Sequence, residues 1–407
     1  MSNAIARSVT TASVAPPDLR GTRLLEFCDY YGPASMGGSE RVARQVNRRL
    51  VQLGAELTVT SALVGEPFDD DGVRVLARPA TDLSGLVGAQ LAVSRGYMRA
   101  ALNAARLFRP HVLYAHSLHF HGSLVAARLS RILHLPLVTV VHVGGLSELG
   151  GIARGGAEVF ERTIGRFVLG SSREVVAVSE SVAEHSRHRG ARPESVSVAE
   201  NGVDHERFAP TPPARDEDGV PTVVFIGRLV GNKGPRLAVE AVRRLRRRGT
   251  RVRLLVVGDG PSRAALEASA RGIDGGCTFV GRVADVVPWI RRADVVVRPS
   301  FTEGRPLAVL EAMASRRCVV VSDIPAHREV VEHLVNGLVH RPGDVDDLVT
   351  QLTLVLDDAD RRERLADQAC HSIRRYTWEA TARAHAHAIA RAAAAVPCVR
   401  LGAGGSA

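Results

Sequence analysis

The chain has 407 residues, of which 45% are hydrophobic and 24% are charged, a composition typical of a soluble protein with two globular domains. Only 4% of its residues are aromatic, which argues against the stacking surfaces that bind single-stranded nucleic acid. The net charge is +10, but both halves of the sequence share the excess of arginine, so we expect no basic pole and no nucleic-acid partner.

Cysteine usage and the apolar runs predict a cytoplasmic protein. The five cysteines are scattered and include no Cys-x-x-Cys pair, which is typical of free thiols in a reducing compartment. Residues 1–20 lack the apolar core of a secretory signal and are predicted to be disordered. The longest apolar run, Leu135–Leu146, is too short to span a bilayer. The positive charge leaves peripheral contact with the inner face of a membrane open.

From Thr22 onward, short apolar strands alternate with amphipathic helices. In chain order, the first half predicts strands over Leu24–Cys28, Leu57–Ser61, Val112–Ala115, Leu137–Val141 and Val175–Val178, and helices from Gly37 to Leu53, over 86–108 and over Leu118–Leu133. This alternation predicts a parallel sheet that is covered by crossover helices.

The second half repeats the pattern after a polar, proline-rich linker over 209–219. Its predicted strands are Thr222–Ile226, Arg253–Val257, Thr278–Val280, Val295–Val297 and Cys318–Ser322. We therefore predict an α/β fold with two Rossmann-like, doubly wound domains that face a cleft, because ligands bind beyond the carboxyl ends of such strands. The predicted units are a disordered N-terminus over 1–20, one domain over 21–200, a second over 201–376, a helix over 377–397 that packs back across the domains, and a tail over 398–407.

Lys233 is the only lysine among 53 basic residues, and it stands five residues after Arg228, where an apolar strand turns into a helix. Lysine is a compact point charge on a flexible stem, whereas arginine is a planar fork, so a lysine kept in an arginine-rich chain indicates a specific need. Two cations at such a turn suit an anionic ligand such as a diphosphate. Compositional bias with one surviving lysine is the alternative that this residue alone leaves open.

A second segment, residues 298–314, carries two carboxylates beside the start of a helix near Pro306. The free N–H groups and the positive dipole end of this helix offer a further diphosphate contact. Glu303 precedes the helix and Glu311 lies more than one turn inside it, so the two carboxylates are too far apart to share a proton. Each can bind a different part of an extended ligand, one a sugar hydroxyl and the other a ribose.

Together with Arg228 and Lys233, this segment resembles the nucleotide-sugar site of the GT-B glycosyltransferases of family 4, and the resemblance runs from about Leu24 to Ala384. Members of that family are retaining and metal-independent. The resemblance implies a C-terminal domain that binds a nucleotide-diphosphate sugar, an N-terminal domain that binds the acceptor, and no metal or other cofactor.

The resemblance also assigns roles to single residues. Glu303 would contact the transferred sugar beside the reacting centre, Glu311 would bind the ribose, and Arg228 with Lys233 would bind the diphosphate. Gly304 and Leu307 would supply backbone groups near the phosphates and the sugar. Many family members have Phe-Gly after Glu-Gly, whereas this chain has Arg305-Pro306, which removes one N–H donor.

Further donor contacts follow from the same resemblance. Gly38 belongs to a Gly-Gly pair after the first strand that resembles the glycine loop facing the donor phosphates. His142 ends a strand and resembles the histidine that contacts the donor sugar, although a structural role is the alternative. Backbone near Arg282 and Val283 would hold the base. The implied catalytic set is His142, Glu303, Arg228 and Lys233.

Three other features stay open. His116 and His119 could line the acceptor side, but no carboxylate or cysteine completes a metal site with them. The junction Asn201–Phe208 resembles the family's boundary between domains. The arginine-rich run Arg243–Arg248 follows an apolar helical stripe, so its arginines face outward, either as a solvated face or toward anionic lipid headgroups.

The predicted function is therefore transfer of a sugar from a nucleotide-diphosphate sugar to an acceptor hydroxyl, with retention and without a metal. Polysaccharide, lipid-linked and secondary-metabolite acceptors all fit the sequence. An NDP-sugar epimerase on the same fold and a non-catalytic sugar-nucleotide-binding protein are the alternatives. The sequence predicts neither the donor base nor an oligomeric state.

Overall fold

A computed structural model of the chain describes residues 15–32, 37–62, 68–83, 92–144, 151–214, 218–273 and 275–394, which form two α/β domains. The first domain surrounds an eight-stranded sheet and the second a six-stranded sheet. Leu19 lies in the segment that the sequence predicts to be disordered, yet it is buried and donates its backbone N–H to Leu53 O. The rest of that segment up to residue 14, and the predicted tail, lie outside the described residues.

The N-terminal sheet is almost entirely parallel. Its strands are β1 (Arg23–Phe27), β2 (Glu56–Ser61), β3 (Phe68–Asp70), β4 (Val73–Ala77), β7 (Val112–His116), β8 (Leu137–Val141), β9 (Glu174–Ala177) and β10 (Val196–Val198), and a separate ribbon joins β5 (Thr81–Asp82) to β6 (Ala92–Val93). The order across the sheet is β10-β9-β8-β7-β1-β2-β4-β3, and only β3 runs antiparallel to its neighbour.

Helices cover both faces of this sheet. They are α1 (Gly38–Gln52), α2 (Tyr97–Phe108), α3 (His121–Leu133), α4 (Gly151–Phe160), α5 (Arg166–Ser171) and α6 (Glu180–His188), with a π-helical turn, Glu161–Gly165, between α4 and α5. Side chains alternate along β1, so Leu25 and Phe27 pack toward α2 and α3, while Leu24 and Cys28 pack toward α1. Burial on both faces explains why these strands are continuous apolar runs.

The C-terminal sheet is wholly parallel. It contains β11 (Thr222–Ile226), β12 (Arg253–Val257), β13 (Cys277–Gly281), β14 (Val295–Arg298), β15 (Cys318–Ser322) and β16 (Leu338–His340), in the order β13-β12-β11-β14-β15-β16. Its helices are α7 (Pro235–Arg247), α8 (Arg263–Ala270), α9 (Val287–Arg291), α10 (Leu307–Ala314), α11 (Pro325–Arg328), α12 (Val345–Leu356) and α13 (Ala359–Ser372). The carboxyl ends of β11 and β14, which are neighbours, carry the Lys233 turn and the Glu303 loop.

The last helix, α14 (Trp378–Ala394), returns to the N-terminal domain. Trp378, Ala386 and Ile389 are buried in the core that α1 forms with the N-terminal sheet. Two hydrogen bonds fix the crossing, because Val203 N–H donates to Tyr376 O at 3.1 Å and the Thr381 hydroxyl donates to Glu200 O at 2.7 Å. The chain therefore crosses between the domains twice, which ties their relative position to two segments.

The prediction of one helical stretch over 86–108 is wrong. Ala92–Val93 forms a strand that pairs with Thr81–Asp82, and the helix begins only at Tyr97. Gly96 has a φ of 73°, a left-handed conformation that ends the ribbon and starts the helix. Residues 84–91 lie outside the described part of the chain. Among the helices described, none is long and apolar enough to cross a bilayer.

Candidate active site

Lys233 forms an ion pair with Glu303. Its Nζ lies 2.6 Å from Glu303 Oε2 and donates a second hydrogen bond to Thr302 O at 3.2 Å. The next residue, Gly234, has a φ of 67°, and a Cβ there would overlap Pro299 O. Only glycine therefore lets the turn after β11 pack against the loop after β14, and this contact brings the lysine to the carboxylate.

Three side chains bind the Glu303 carboxylate. Besides Lys233 on one oxygen, Arg298 Nε and the Ser300 hydroxyl each donate to the Oε1 atom at 2.8 Å. Burial alone would raise the pKa of Glu303, but the charges of Arg298 and Lys233 outweigh it and hold that pKa well below its usual value. Glu303 is therefore a fully ionised carboxylate. Burial lowers the pKa of Lys233, and Glu303 opposes this shift.

Predicted site residues from the two domains meet at this point. Gly304 packs so closely on the backbone of His142 that a Cβ on the glycine would overlap His142 O. A Cβ on Gly38 would lie 3.7 Å from Leu307 Cδ1. The strand-end histidine and the glycine turn of the N-terminal domain thus face the Glu303 loop and the start of α10 across the cleft.

Glu311 is buried on α10 and has a partner from the other domain. Arg41 Nη1, on α1, lies 2.7 Å from Glu311 Oε1, and the Arg41 side chain is 37% exposed. Burial raises the pKa of Glu311, while Arg41 acts to lower it. The sequence predicts Glu311 as a ribose contact but gives no signal for Arg41, since arginine is so frequent in this chain. The ion pair occupies the carboxylate that a ribose would need.

The remaining predicted donor contacts lie along the carboxyl edge of the C-terminal sheet. Arg228 follows β11, and Arg282 with Val283 follows β13. The side chains of Arg228 and Arg282 are exposed, and neither forms an ion pair with a residue in the described ranges. Arg228 thus differs from Lys233, which is already held by a carboxylate.

Behind His142 lies a buried polar chain that sequence reasoning missed. His142 Nε2 is 3.1 Å from His116 Nδ1, and His116 Nε2 is 3.6 Å from Glu26 Oε1. Burial raises the pKa of Glu26 well above its usual value, lowers that of His116, and lowers that of His142 to about 4. All three groups therefore favour their neutral forms, and His116 supports His142 from behind instead of lining the acceptor side.

The C-terminal helix adds a further histidine to this layer. His385 on α14 stacks on His116 with ring centroids 6.3 Å apart, and its Nδ1 lies 2.5 Å from the Tyr114 hydroxyl. Alternation along β1, β7 and β8 predicts that Glu26, His116 and His142 share one face of the sheet. A row of polar residues on a face that is otherwise apolar could therefore have indicated this buried polar chain from the sequence.

His119 contacts a carboxylate on the π-helical turn. Its Nε2 lies 3.1 Å from Glu161 Oε1, while His185 Nε2 and Arg189 Nε lie 3.3 Å and 3.2 Å from Glu161 Oε2. Burial would raise the pKa of Glu161, but His119 and His185 hold it well below its usual value. Within the described residues, no group of three or more His, Cys, Asp or Glu side chains has an arrangement that could hold a metal ion.

Arg305, which stands where the family commonly has phenylalanine, lies buried between the domains. Its guanidinium contacts Glu200 at 3.0 Å and Glu329 at 3.1 Å, and it stacks 4.5 Å from the ring centroid of Tyr376. Glu329 in turn accepts a hydrogen bond from the backbone N–H of Ser181 at the start of α6, at 2.9 Å. Arg305 therefore connects the Glu303 loop to both crossings between the domains.

Two family models match the chain. Residues 36–207 match the model described as Glycosyltransferase Family 4, and residues 220–358 match the one described as Glycosyl transferases group 1. Together these matches cover well over half of the sequence. The chain belongs to the group 1, family 4 glycosyltransferases.

Relatives of this glycosyltransferase carry the names of different sugar-transfer reactions. It is 27% identical to the glycogen synthase of Mycobacterium tuberculosis, over 93% of this chain and 97% of the relative. It is 28% identical to the alpha-D-kanosaminyltransferase of Streptomyces kanamyceticus, over 81% and 91% of the two chains. The D-inositol 3-phosphate glycosyltransferase of Xylanimonas cellulosilytica is also 28% identical, over 90% of this chain and 96% of that one.

Solved structures share the fold of the glycosyltransferase. Anabaena HepE, crystallised in complex with UDP and glucose, superposes with a TM-score of 0.73 at 19% identity, over 91% of this chain and 100% of the other. Sucrose-phosphate synthase from Thermosynechococcus elongatus superposes with a TM-score of 0.76 at 18% identity, over 92% and 100%. The predicted GT-B architecture is thereby confirmed.

Proposed function

We propose that this glycosyltransferase transfers a sugar from a nucleotide-diphosphate sugar to an acceptor hydroxyl, with retention at the anomeric carbon and without a metal. The observation that carries the proposal is the Lys233–Glu303 pair, which lies where the Gly304 loop meets His142 of the other domain. Two further findings support the donor class: Anabaena HepE was crystallised with UDP and glucose, and the relatives are named as sugar transferases and a glycogen synthase.

The donor sugar would lie against Glu303. Its ionised carboxylate can accept hydrogen bonds from sugar hydroxyls, which are stronger than bonds between neutral groups. Lys233 has three N–H donors, of which two are used by Glu303 and Thr302 O, so one is left for a diphosphate oxygen. Arg228, exposed at the adjacent strand end, would supply the second cation. The ribose would bind Glu311 after Arg41 moves away.

The chemistry requires stabilisation of the leaving group. When the bond from the anomeric carbon to the β-phosphate oxygen breaks, the nucleoside diphosphate gains about one unit of negative charge. Each charge-assisted hydrogen bond from Lys233 or Arg228 would contribute about 1.5–3 kcal/mol where that charge develops. Two such cations can take the place that a divalent metal holds in other transferases, which is the physical basis for proposing metal independence.

Retention would follow a front-face substitution. The acceptor oxygen would attack the anomeric carbon on the face that the diphosphate leaves, and its proton would pass to the departing β-phosphate oxygen. Glu303 is a poor nucleophile for a covalent route, because three side chains already bind its oxygens. Detection of a glycosyl ester on Glu303 would overturn this mechanism.

The acceptor would bind on the N-terminal side of the cleft, and the proposed setting is the cytoplasm. Free cysteines throughout the described residues are consistent with that compartment. The proposed acceptor is a polysaccharide, a lipid-linked sugar or a secondary metabolite, since relatives at 27–28% identity are named for a glycogen product and for an inositol phosphate acceptor.

The test is incubation with UDP-, GDP- and dTDP-sugars in the presence of a chelator. The proposal predicts release of one nucleoside diphosphate by hydrolysis or transfer, and a product whose anomeric configuration, read by proton NMR, matches that of the donor. Isomerisation of the nucleotide sugar would favour an epimerase, and binding without turnover would favour a non-catalytic protein. Inversion, or complete loss of turnover with the chelator, would refute retention or metal independence.

A further inference from the structure

The helices α2 and α3 present a surface of unusual charge. They pack side by side on the N-terminal sheet and bury Ala101, Ala105, Val125 and Leu129 beneath them. Their outward side chains form what we call the α2–α3 face, which consists of Arg99, Arg106, Leu107, Arg128, Arg131 and Ile132, all of them exposed. On α2, Arg106 and Leu107 stand seven and eight positions after Arg99, and on α3, Arg131 and Ile132 stand three and four positions after Arg128, so each set lies on one stripe.

Positive charge on this face is uncompensated. Residues 92–136 contain six arginines and no aspartate or glutamate. Among the described residues, no acidic side chain forms an ion pair with any of the four arginines of the α2–α3 face. The even division of charge between the two halves of the sequence therefore conceals a local basic surface.

Large apolar side chains lie among these arginines. Leu107 is 87% exposed and Ile132 is 56% exposed, and they stand in the last turns of the two neighbouring helices. A leucine and an isoleucine directly beside arginines combine apolar and cationic groups on one surface. The six residues of the α2–α3 face include no aromatic side chain, and the partly buried ring of Phe167 beside them is covered by the Arg131 guanidinium at 4.8 Å from its centroid.

The other arginine-rich surface is partly paired with carboxylates. In the run Arg243–Arg248 on α7, Arg243 pairs with Glu240, while Arg244 pairs with Glu240 and with Asp346. Arg246 donates to Val252 O. Two arginines of this run, for which the sequence leaves lipid binding open, thus form ion pairs within the C-terminal domain. The arginines of the α2–α3 face form no such pairs among the described residues.

We propose that the α2–α3 face docks this glycosyltransferase on an anionic lipid bilayer. The arginines would bind headgroup phosphates, for which the guanidinium fork is suited, and Leu107 with Ile132 would enter the boundary of the acyl chains. Both helices begin at the carboxyl edge of the sheet and end at its amino edge, where Leu107 and Ile132 stand, so docking would turn the carboxyl edge and the cleft away from the membrane surface. This inference goes beyond the proposed transfer reaction and does not depend on it.

The test is co-sedimentation of the full chain with vesicles of phosphatidylcholine alone and of phosphatidylcholine mixed with phosphatidylglycerol. We expect binding to the anionic vesicles only, with release at high salt. Arg106→Glu with Arg131→Glu should lower the partition coefficient by about tenfold or more. Arg247→Glu with Arg248→Glu makes the same charge change at exposed positions of α7 and its end, and it should leave binding unchanged.

A second pair of variants tests the apolar part. Leu107→Ser with Ile132→Ser should weaken vesicle binding by about tenfold, because apolar surface no longer leaves water. Leu334→Ser with Val335→Ser, at exposed apolar positions of the C-terminal domain, is the matched control and should have no effect. UDP binding by each variant reports its fold independently.

Three outcomes would overturn the proposal: equal binding to both vesicle types, equal losses in face and control variants, or duplex DNA that competes the protein off the vesicles. The last result would assign the face to nucleic acid. Vesicle binding without any sugar transfer would refute the proposed function and leave the membrane face in place. Transfer activity without vesicle binding would refute the membrane face and support the proposed function.

Discussion

At the scale of single residues, Lys233 shows why one lysine persists among arginines. Its ammonium group binds Glu303 at 2.6 Å and the Thr302 carbonyl at 3.2 Å in a tight, half-buried turn. The other Glu303 oxygen already binds a planar guanidinium, that of Arg298. A second guanidinium at position 233 would clash with that of Arg298, whereas the compact ammonium group of lysine fits and keeps one N–H donor free.

Lys233→Ala should lower the transfer rate by about 100-fold or more, because it removes a cation from the leaving group and a partner from a buried carboxylate. Lys233→Arg keeps the charge and should still lose most of the activity. Steady-state kinetics with a nucleotide sugar, and UDP affinity by calorimetry, check both variants. Unchanged kinetics in Lys233→Arg would show that the site does not require a lysine, and compositional bias would then explain the residue.

In the proposed donor complex, Arg41 would compete with the ribose for Glu311. The ion pair is 2.7 Å long, but Arg41 is more than one-third exposed, so solvent screens it and it is worth about 0.2–1 kcal/mol. Arg41→Ala should therefore tighten UDP binding, by about fivefold at most. Glu311→Gln should weaken it, because the ribose loses its charged acceptor. Calorimetric titration of each variant with UDP measures these affinities. Weaker UDP binding by Arg41→Ala would show that this arginine contacts the nucleotide directly.

At the scale of elements, the row of histidines between the N-terminal sheet and α14 makes stability depend on pH. Burial lowers the pKa of His142 to about 4 and of His385 to about 3, and it lowers the pKa of His116 well below its usual value. As the pH falls below about 6.5, these histidines take up protons in the unfolded chain but not in the folded one. Stability is therefore lost on acidification.

Glu26 acts in the opposite direction, since burial raises its pKa and the folded protein keeps a proton that the unfolded chain releases above pH 4.5. Three histidines outweigh this one carboxyl, so the free energy of unfolding should fall as the pH drops from about 6.5 toward 4. His385→Gln keeps a partner for Tyr114 and removes one titrating group, so its pH slope should be shallower. Denaturant unfolding across this pH range measures both slopes, and identical slopes would contradict the assignment.

Much of the fold follows from patterns in the sequence, whereas most contacts of the site do not. Buried parallel strands are continuous apolar runs, so both sheets could be predicted. The stretch 86–108 failed because a two-residue strand leaves almost no pattern. Lys233 and Glu303 could each be selected, but their contact depends on how Gly234 packs against Pro299 O, which is a tertiary feature. Arg41 and Arg298 gave no signal among so many arginines.

At the scale of the whole molecule, Arg305 links the reactive loop to the arrangement of the domains. Its guanidinium contacts Glu200 and Tyr376, which lie at the two crossings between the domains. It also contacts Glu329, which accepts a hydrogen bond from the start of α6. A buried arginine at this position is this chain's departure from the common Phe-Gly pattern. We interpret it as the group that holds the domains around the cleft.

Arg305→Leu should destabilise the protein by about 1–3 kcal/mol, since it removes a buried cation from Tyr376 and from the partly exposed carboxylates of Glu200 and Glu329. It should also lower kcat, because the Gly304 contact with His142 depends on the same arrangement of the domains. Thermal unfolding and the radius of gyration from small-angle scattering check these effects. Glu200→Gln removes only a partly exposed partner and should cost much less.

The central claim is that the Lys233–Glu303 cluster, with Arg228 and Glu311, binds the nucleotide sugar. A crystal structure of the chain with UDP tests it most directly. We predict diphosphate oxygens within hydrogen-bond distance of Lys233 Nζ and the Arg228 guanidinium, and a ribose on Glu311 in place of Arg41. UDP bound elsewhere, or a Glu311 that still pairs with Arg41 beneath a bound nucleotide, would contradict it.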